Sequence, residues 1–188
     1  MIGLFDTGFL TILFDPKARV PRTKAGVPVV DRAQERIDFL VQSLSTQKSK
    51  IVIPTPVLSE FLLLSADRWN EYLHLIRRKA VFEIAGFDEP ESISLVERCL
   101  RVGKIKAKQP GPETWAKVKF DQQIAAVAET HRVQAIYSTD EDLRRLARQL
   151  NIDCYDLPEL PAPPAKQLPL KAPEEENENT SPPEGTTS

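Results

Sequence analysis

The sequence predicts an α/β fold built on a mainly parallel β-sheet. Through residues 1–157, short apolar segments of strand character alternate with longer segments of helical character, which is typical of βαβ units. The composition is that of a globular protein, because 41% of the 188 residues are hydrophobic and 28% are charged. That length suits one domain with an extension better than two domains.

Five short apolar segments are the predicted strands, as expected for strands buried within a parallel sheet. They cover residues 2–5, 50–53, 80–84, 133–137 and, weakly, 153–155. The predicted helices cover residues 31–44, 56–65, 69–79, 89–102, 112–131 and 141–150. Capping signals mark two of the helix starts: Thr55 precedes Pro56, and Thr139 stands three residues before Asp142.

The end of the chain differs in composition from the rest. Residues 158–188 hold 8 of the 16 prolines, six acidic residues, two lysines and no aromatic residue. Such a segment buries too little apolar surface to offset the entropy lost on ordering it. We therefore predict a folded domain at residues 1–157, with a charge of +2, followed by a disordered acidic tail at residues 158–188, with a charge of −4.

The sequence also excludes several classes of protein. No apolar run approaches the ~18 residues that cross a bilayer, and the first residues lack the basic start of a signal peptide. The two cysteines and two histidines stand in no zinc-ligand spacing, so neither a disulfide framework nor a zinc site is expected. We expect a soluble, cytoplasmic protein that does not contact membranes.

Three acidic side chains are predicted at one edge of the sheet. Asp6 directly follows the first strand, Asp140 lies just beyond the fourth, and Glu60 lies about one turn into the helix after the second. Because ligands of open parallel sheets bind beyond the carboxyl ends of the strands, these positions favour a functional role. Helix capping is the competing interpretation for Asp6, and Glu60 alone would be an ordinary exposed acid. For Asp140 the Thr139 capping box weakens that alternative.

A fourth acid falls within the apolar face of its predicted helix. Asp121 lies one or two turns from Val118, Ile124 and Ala128, so its carboxylate is expected to be buried. A buried carboxylate needs a cation, a hydrogen-bond network or a proton. Four clustered carboxylates would repel one another unless a divalent cation neutralised them. Mg²⁺ and Mn²⁺ prefer carboxylate oxygen and need neither histidine nor thiol ligands.

Four segments of the chain, in this order, resemble the PIN-domain ribonucleases, which include the VapC-type toxins of toxin–antitoxin pairs. The segments are FDTGFL at Asp6, IPTPVLSEFLL at Glu60, KFDQQIAAVAETHR at Asp121 and YSTDEDLRRL at Asp140. The resemblance implies a three-layer α/β/α sandwich, a Mg²⁺ or Mn²⁺ site and endonucleolytic cleavage of RNA. It assigns catalysis and metal binding to the four acids, which the hydroxyls of Thr7 and Thr139 would support.

The resemblance also implies partners. A VapC-type toxin would have an RNA substrate and a protein antitoxin, and would form a homodimer. Besides its additional acidic, proline-rich tail, the chain departs from the family pattern in two places. Gly8 stands where many members have asparagine, and the connection between the first strand and the Glu60 helix is longer than in a minimal toxin. These departures affect the choice of RNA more than the chemistry.

Two basic segments are candidates for contact with phosphate. Residues 15–30 contain four cations and no acid between Asp15 and Asp31, and residues 103–111 contain three lysines. Each neutralised phosphate adds salt-dependent affinity for nucleic acid. The candidate contacts are Arg19, Arg22 and Lys24, together with Lys117 and Lys119 beside Asp121. For any one of them, an ordinary solvated side chain is the competing interpretation.

Two other functions compete with that of a nuclease. A phosphatase of the haloacid-dehalogenase type needs a second aspartate two residues after Asp6, where Gly8 stands, so we discount it. A PIN-fold module that binds RNA or protein with little or no catalytic activity is the stronger rival. Stacking on RNA bases is one interpretation of Tyr137, Trp69 and Trp115, and packing in the apolar core is the one that we prefer.

Overall fold

A five-stranded parallel sheet forms the centre of the protein in the computed structural model, which describes residues 1–101 and 115–164. For residues 115–118 the description covers the backbone alone. The strands lie in the order β3-β2-β1-β4-β5, and every neighbouring pair is parallel. Their bounds are β1 Ile2–Phe5, β2 Lys50–Pro54, β3 Phe82–Ala85, β4 Ala135–Tyr137 and β5 Asp153–Tyr155.

Helices cover both faces of this sheet. From β1 the chain winds outward through β2 to β3 and then returns to the other side of β1 with β4 and β5. Right-handed crossovers that run in opposite directions place helices on opposite faces, so the predicted three-layer α/β/α sandwich is confirmed. The helices are α1 Thr7–Phe14, α2 Ala33–Thr46, α3 Thr55–Leu64, α4 Trp69–Arg78, α5 Glu89–Arg101, α6 Trp115–Thr130 and α7 Glu141–Gln149. Short 3-10 turns cover Ala66–Arg68 and Leu157–Glu159.

The predicted strands and helices are all present, with shifts of a few residues at their ends, but the sequence did not predict α1. This helix begins directly after β1, and Phe9, Leu10, Ile12 and Leu13 along it are buried. Because its residues are apolar on most sides, the segment carries no clear helical period and resembles a continuation of the strand. Asp6 stops the strand and caps the helix, so the turn falls at the acid itself.

The core is rich in aromatic contacts on both sides of β1. Tyr137 is 3% exposed and stacks on Tyr155 with the ring centroids 5.7 Å apart. On the other side, Phe61 lies 5.6 Å from Tyr72 and 5.7 Å from Phe14, again between ring centroids. Core packing of Tyr137 is therefore confirmed. The same expectation for Trp69 is wrong, because 48% of that residue is exposed at the start of α4.

The capping prediction for α3 is wrong in detail. Pro54 occupies the capping position, and Thr55 is the first helical residue. The Thr55 hydroxyl instead accepts a hydrogen bond from the backbone N–H of Phe87, at 3.1 Å. This bond links α3 to the chain after β3. The Thr55 hydroxyl therefore makes a tertiary contact and does not make the helix cap that local spacing had predicted.

The chain stays packed on the body for a few residues past the predicted boundary at residue 157. The 3-10 turn at Leu157–Glu159 contacts α2, and Leu160 is 4% exposed. The predicted tail from residue 165 and the basic segment at residues 103–111 lie outside the described residues. Among the described residues, no helix has the length and apolar character needed to cross a membrane.

Candidate active site

The candidate site lies where the strand order reverses. β1 and β4 are adjacent parallel strands, with Phe5 paired to Tyr137 at their carboxyl ends. The next residue along β1 is Asp6, whose backbone N–H donates to the Tyr137 carbonyl at 3.2 Å. Ligands of open α/β sheets bind in the crevice at such a switch point. The fold thus puts the ends of both acid-bearing strands side by side.

Asp6 is buried, and each of its carboxylate oxygens accepts a hydrogen bond. Oδ1 accepts from the backbone N–H of Phe9 at 2.8 Å, so Asp6 is the N-cap of α1. Oδ2 accepts a short hydrogen bond from the hydroxyl of Ser138. Asp6 is only 7% exposed. These contacts fix the orientation of the carboxylate and keep most water away from it.

Ser138 joins the two acids that follow β1 and β4. It is 1% exposed, its hydroxyl donates to Asp6, and its Oγ accepts the backbone N–H of Asp140 at 2.9 Å. Both donor and acceptor functions of the hydroxyl are therefore used. This role was not predicted from the sequence. The only signal was a polar side chain placed directly after a buried strand.

Asp140 is the N-cap of α7, so the prediction that Thr139 caps this helix is wrong. Asp140 Oδ1 accepts the backbone N–H of Asp142 at 2.8 Å. The Thr139 hydroxyl lies instead over Gly8, where an added Cβ would stand 3.5 Å from Oγ1 of Thr139 and 3.4 Å from Oδ1 of Asp6. Thr139 and Gly8 therefore border the Asp6 carboxylate. The predicted position of Thr139 beside the acids agrees with this geometry.

The electrostatics of Asp6 are those of a desolvated anion. Burial raises the pKa of Asp6 from its usual 3.8 to about 6, because desolvation disfavours the charged form. The hydrogen bonds from Ser138 and Phe9 lower the pKa, and the negative charge of Asp140 raises it. The contribution of Asp140 is smaller than that of burial, and it places a second negative charge near the Asp6 carboxylate. A cation between them would relieve both the repulsion and the desolvation.

Glu60 is hydrogen-bonded to Thr7, the residue that follows Asp6. It is exposed on α3, and its Oε2 accepts a short hydrogen bond from the hydroxyl of Thr7. Thr7 is the residue after Asp6 and begins α1, which packs against α3. The structure therefore brings Glu60 to the edge where Asp6 lies, with Thr7 as the link.

Asp121 is buried, as its position in the apolar face of the helix predicted. It is 8% exposed on α6, among Ile124, Ala125 and Ala128, which are each at most 2% exposed. α6 contacts both α3, which carries Glu60, and α7, which Asp140 caps. Asp121 therefore belongs to the helix that packs between the elements carrying two of the other acids.

The oxygen atoms of these side chains suit a hard divalent cation, although the described acids do not form a complete metal site. Across residues 1–101 and 119–164, no three histidine, cysteine or acidic side chains are grouped closely enough to hold a metal ion. The Ser138 hydroxyl is hydrogen-bonded both to the Asp6 carboxylate and to the backbone N–H of Asp140. Glu60 is hydrogen-bonded to Thr7, the residue after Asp6. These donors are carboxylate and hydroxyl oxygens, which Mg²⁺ and Mn²⁺ prefer.

The candidate phosphate contacts lie in two parts of the chain, the basic segment before α2 and the helix α6. Arg19, Arg22 and Lys24 are exposed, and a backbone bridge pairs Arg22 with Pro28. Lys119 is also exposed on α6. The side chain of Lys117 lies outside the described residues.

The chain matches known proteins at the level of family and of fold. Residues 27–149 match the family model described as the PIN domain. This range includes Glu60, Asp121 and Asp140 but begins after Asp6, which the structure brings beside Asp140. No curated protein sequence matches the chain.

Three solved structures share the fold. VapBC2 from Rickettsia felis, bound to a DNA fragment from its promoter, has 14% identity and a TM-score of 0.51, covering 83% of this chain and 98% of that one. DNA-bound VapBC from Salmonella typhimurium has 16% identity and a TM-score of 0.50, covering 84% and 98%. VapBC-1 from nontypeable Haemophilus influenzae has 12% identity and a TM-score of 0.50, covering 84% and 99%. At these identities the likeness is one of fold alone.

Proposed function

Because the chain belongs to the PIN-domain family, we propose that it is a metal-dependent endoribonuclease that hydrolyses RNA phosphodiester bonds. The observation that carries the proposal is the pairing of Asp6 with Asp140 at the switch point of the sheet. Ser138 joins them, and the pKa of Asp6 is raised to about 6. Capping does not require a carboxylate at either position, since serine would cap as well, and burying the Asp6 carboxylate near a second acid costs free energy, so the pair favours a site that binds a cation.

In this proposal, Asp6, Glu60, Asp121 and Asp140 hold Mg²⁺ or Mn²⁺ and are the catalytic residues. The bound ion would lower the pKa of a water molecule and stabilise the charge that develops on phosphate. The protein's own groups set the geometry. Ser138 holds the Asp6 carboxylate, and the starts of α1 and α7 fix both backbones. Thr7 and Thr139 support the site, since Thr7 positions Glu60 and Thr139 borders Asp6.

The test is cleavage of a defined panel of RNAs by the purified protein and four single variants. We expect Asp6→Asn, Glu60→Gln, Asp121→Asn and Asp140→Asn each to reduce Mg²⁺- or Mn²⁺-dependent cleavage at least ~100-fold, as loss of one group that stabilises the transition state does elsewhere. Asp142→Asn is the matched control. It lies two residues from Asp140 on the same helix and pairs with Arg145 at 3.3 Å. This control should cleave like the wild type.

The same assay separates an enzyme from a binding module. If the wild type binds RNA but cleaves none of the panel in Mg²⁺ or Mn²⁺, the protein is the binding module that forms the alternative. If Asp6→Asn cleaves like the wild type, the assignment of the site is refuted. Replacing Mg²⁺ with Ca²⁺ adds a check, because Ca²⁺ takes the same oxygen ligands with looser geometry. We expect metal binding without efficient cleavage.

RNA binding in this proposal uses the exposed cations Arg19, Arg22 and Lys24, with Lys117 and Lys119 beside the site. The triple variant Arg19→Glu, Arg22→Glu, Lys24→Glu should weaken RNA binding and flatten its dependence on salt. A matched control reverses two exposed cations at the end of α4, Arg77→Glu and Arg78→Glu. Equal effects of the two variants would show that only net charge matters, and would refute a local binding surface.

We further propose that the protein is the toxin of a toxin–antitoxin pair, with a protein antitoxin as its partner. Support comes from an exposed apolar surface at the end of α3, the helix that carries Glu60: Leu63 is 82% and Leu64 67% exposed. Beside it a groove of about 240 Å³ runs between α1 and α4, lined by Phe61 and Tyr72 among others. Contiguous exposed apolar surface on a protein often marks a site of protein–protein interaction.

The partner proposal is tested by co-expression with small proteins encoded next to this chain. A copurifying partner that suppresses cleavage, and that Leu63→Ser with Leu64→Ser releases, would support it. Val27→Ser is the control, because Val27 is 58% exposed and lies outside α3. A homodimer, which we also propose, is checked by sedimentation of the free protein and of the complex.

A further inference from the structure

A strongly basic segment, residues 16–30, stands on the surface of the protein. Lys17, Arg19, Arg22 and Lys24 are exposed, and none of them forms an ion pair with another described residue. A tight turn holds the segment in place. The backbone N–H of Thr23 donates to the Val27 carbonyl at 2.8 Å, and the Arg22 guanidinium donates to the Gly26 carbonyl at 2.6 Å. The segment is therefore an ordered part of the surface that carries positive charge.

The end of the described chain is held next to the end of this basic segment by hydrogen bonds. The Arg36 guanidinium on α2 donates through Nη1 to the Leu160 carbonyl at 2.6 Å, and through Nε to the Asp31 carbonyl at 3.1 Å. Asp31 directly follows the basic segment, and Leu160 is only four residues from Pro164, where the described residues end. One side chain thus ties the end of the basic segment to the start of the C-terminal extension.

The extension carries the opposite charge. Residues 165–188 contain five glutamates and two lysines, and four of the glutamates fall within residues 174–178, in the run EEENE. The ten residues from Pro164 to residue 174 reach up to ~35 Å when extended. A tether of this length gives the glutamates an effective concentration in the millimolar range at the basic segment.

We propose that residues 174–178 dock on the basic segment of the same chain and compete there with RNA. The docking follows from the charges and the anchoring of the chain, and only the competition rests on the proposed function. Glutamate carboxylates and RNA phosphates are both anions that the same lysine and arginine side chains attract. The extension would therefore lower the affinity for RNA at low salt, and screening would abolish the effect at high salt.

Docking is tested first, without RNA, on the full chain. A zero-length carbodiimide cross-linker joins amines to carboxylates in direct contact, and mass spectrometry of the monomer fraction identifies the pairs. We expect links from Lys17 or Lys24 to glutamates within residues 174–178. They should disappear at ~1 M salt, where the Debye length is about 3 Å. Absence of these links at low salt, or links only between two chains, would overturn the proposal.

Competition is tested with the variant Glu174→Gln, Glu175→Gln, Glu176→Gln, Glu178→Gln. The measurement is binding of a short single-stranded RNA in EDTA, so that no cleavage occurs. We expect about 3- to 10-fold tighter binding at ~50 mM salt and less than about 2-fold at ~300 mM, as screening predicts. The control removes the same charge from four exposed acids of the body: Asp67→Asn, Glu89→Gln, Glu97→Gln and Asp153→Asn.

The outcomes separate docking from the proposed function. Cross-links together with tighter RNA binding by the glutamine variant, but not by the control, support the whole proposal. Cross-links with unchanged RNA binding retain the docking and overturn the competition. Equal gains in the variant and the control overturn the competition too, because net charge would explain them. Loss of cleavage in the site variants is measured separately and depends on none of these results.

Discussion

Replacing Asp6 with asparagine should stabilise the metal-free protein at neutral pH. The pKa of Asp6 rises from 3.8 to about 6 on folding, a shift of about two units, with desolvation as the main cause. Each unit is equivalent to 1.36 kcal/mol, so the ionised carboxylate costs at most about 3 kcal/mol at pH 7. Asparagine removes this cost and can still accept the N–H of Phe9 as the cap of α1.

The net gain is smaller than that ceiling. The asparagine amide cannot accept the Ser138 hydroxyl as a carboxylate oxygen does, and a disturbed buried hydrogen bond costs about 1–2 kcal/mol. We therefore expect Asp6→Asn to raise the free energy of unfolding by about 1–2 kcal/mol at pH 7 in EDTA. For a chain of this size, that corresponds to a Tm increase of roughly 2–8 °C.

The raised pKa of Asp6 also predicts how the stability difference between Asp6→Asn and the wild type changes with pH. Between pH 4 and pH 6 the folded state holds the Asp6 proton and the unfolded state has released it. Stability from this group is therefore complete below pH 3.8 and is lost as the pH rises through 6, with a slope of up to about −1.4 kcal/mol per pH unit. The difference between variant and wild type should shrink as the pH falls from 7 to 4.

The assay is urea unfolding in EDTA at pH 4, 5, 6 and 7 for the wild type, Asp6→Asn and Asp67→Asn. Asp67 is an exposed aspartate in the 3-10 turn Ala66–Arg68, so its variant should stay within about 0.5 kcal/mol of the wild type. A variant at Asp6 that is less stable than the wild type at pH 7, or a difference that does not change with pH, would refute the assignment of a desolvated carboxylate.

Three further predictions concern the same site and the core beneath it. Ser138→Ala removes the donor to Asp6 and the acceptor for the Asp140 N–H, so it should cost about 1–3 kcal/mol in urea unfolding at pH 7; no loss would contradict the linking role of Ser138. Phe61→Ala opens a cavity among Phe14 and Tyr72 and should cost about 3–5 kcal/mol, whereas Phe61→Leu should cost markedly less. If Asp6 holds the metal, Mn²⁺ affinity measured by calorimetry should fall as the pH drops below about 6, because the ligand must lose its proton; unchanged affinity between pH 7 and pH 5 would exclude Asp6 as a ligand.

The sequence was sufficient to predict the sheet and most of the helices. The strands are short apolar runs, and in a parallel sheet covered on both faces such runs have few alternatives. Helix α1 was missed because the segment is short and mostly apolar, and the two polar residues Thr7 and Thr11 are too few to mark a helical period. Its start was encoded in Asp6, but an aspartate after a strand is equally compatible with a turn.

The site was predictable only as a set of positions. The alternation of strands and helices put Asp6 and Asp140 at one edge, but which residue caps α7 depended on contacts made by other elements. Thr139 and Asp140 are both good caps by type, and the hydroxyl of Thr139 is used beside Gly8 instead. Ser138 went unrecognised because a single serine has no spacing or period that marks it. Its role exists only once β1 and β4 lie side by side.

The capping roles of Asp6 and Asp140 do not compete with a role in metal binding, since the two oxygens of a carboxylate offer about four lone-pair sites. In both residues Oδ1 accepts a backbone N–H at the start of a helix, at 2.8 Å. This contact fixes the carboxylate relative to the backbone, and the N-terminus of a helix stabilises its negative charge. The cap therefore supplies the rigid placement that a metal ligand requires, but capping does not explain why the Asp6 carboxylate is buried so far that its pKa rises to about 6. A cap needs only one acid at each helix, and either could be serine at little cost. The burial of the Asp6 carboxylate, which is the main cause of its raised pKa, is the part of the structure that capping leaves unexplained and that a bound cation would explain.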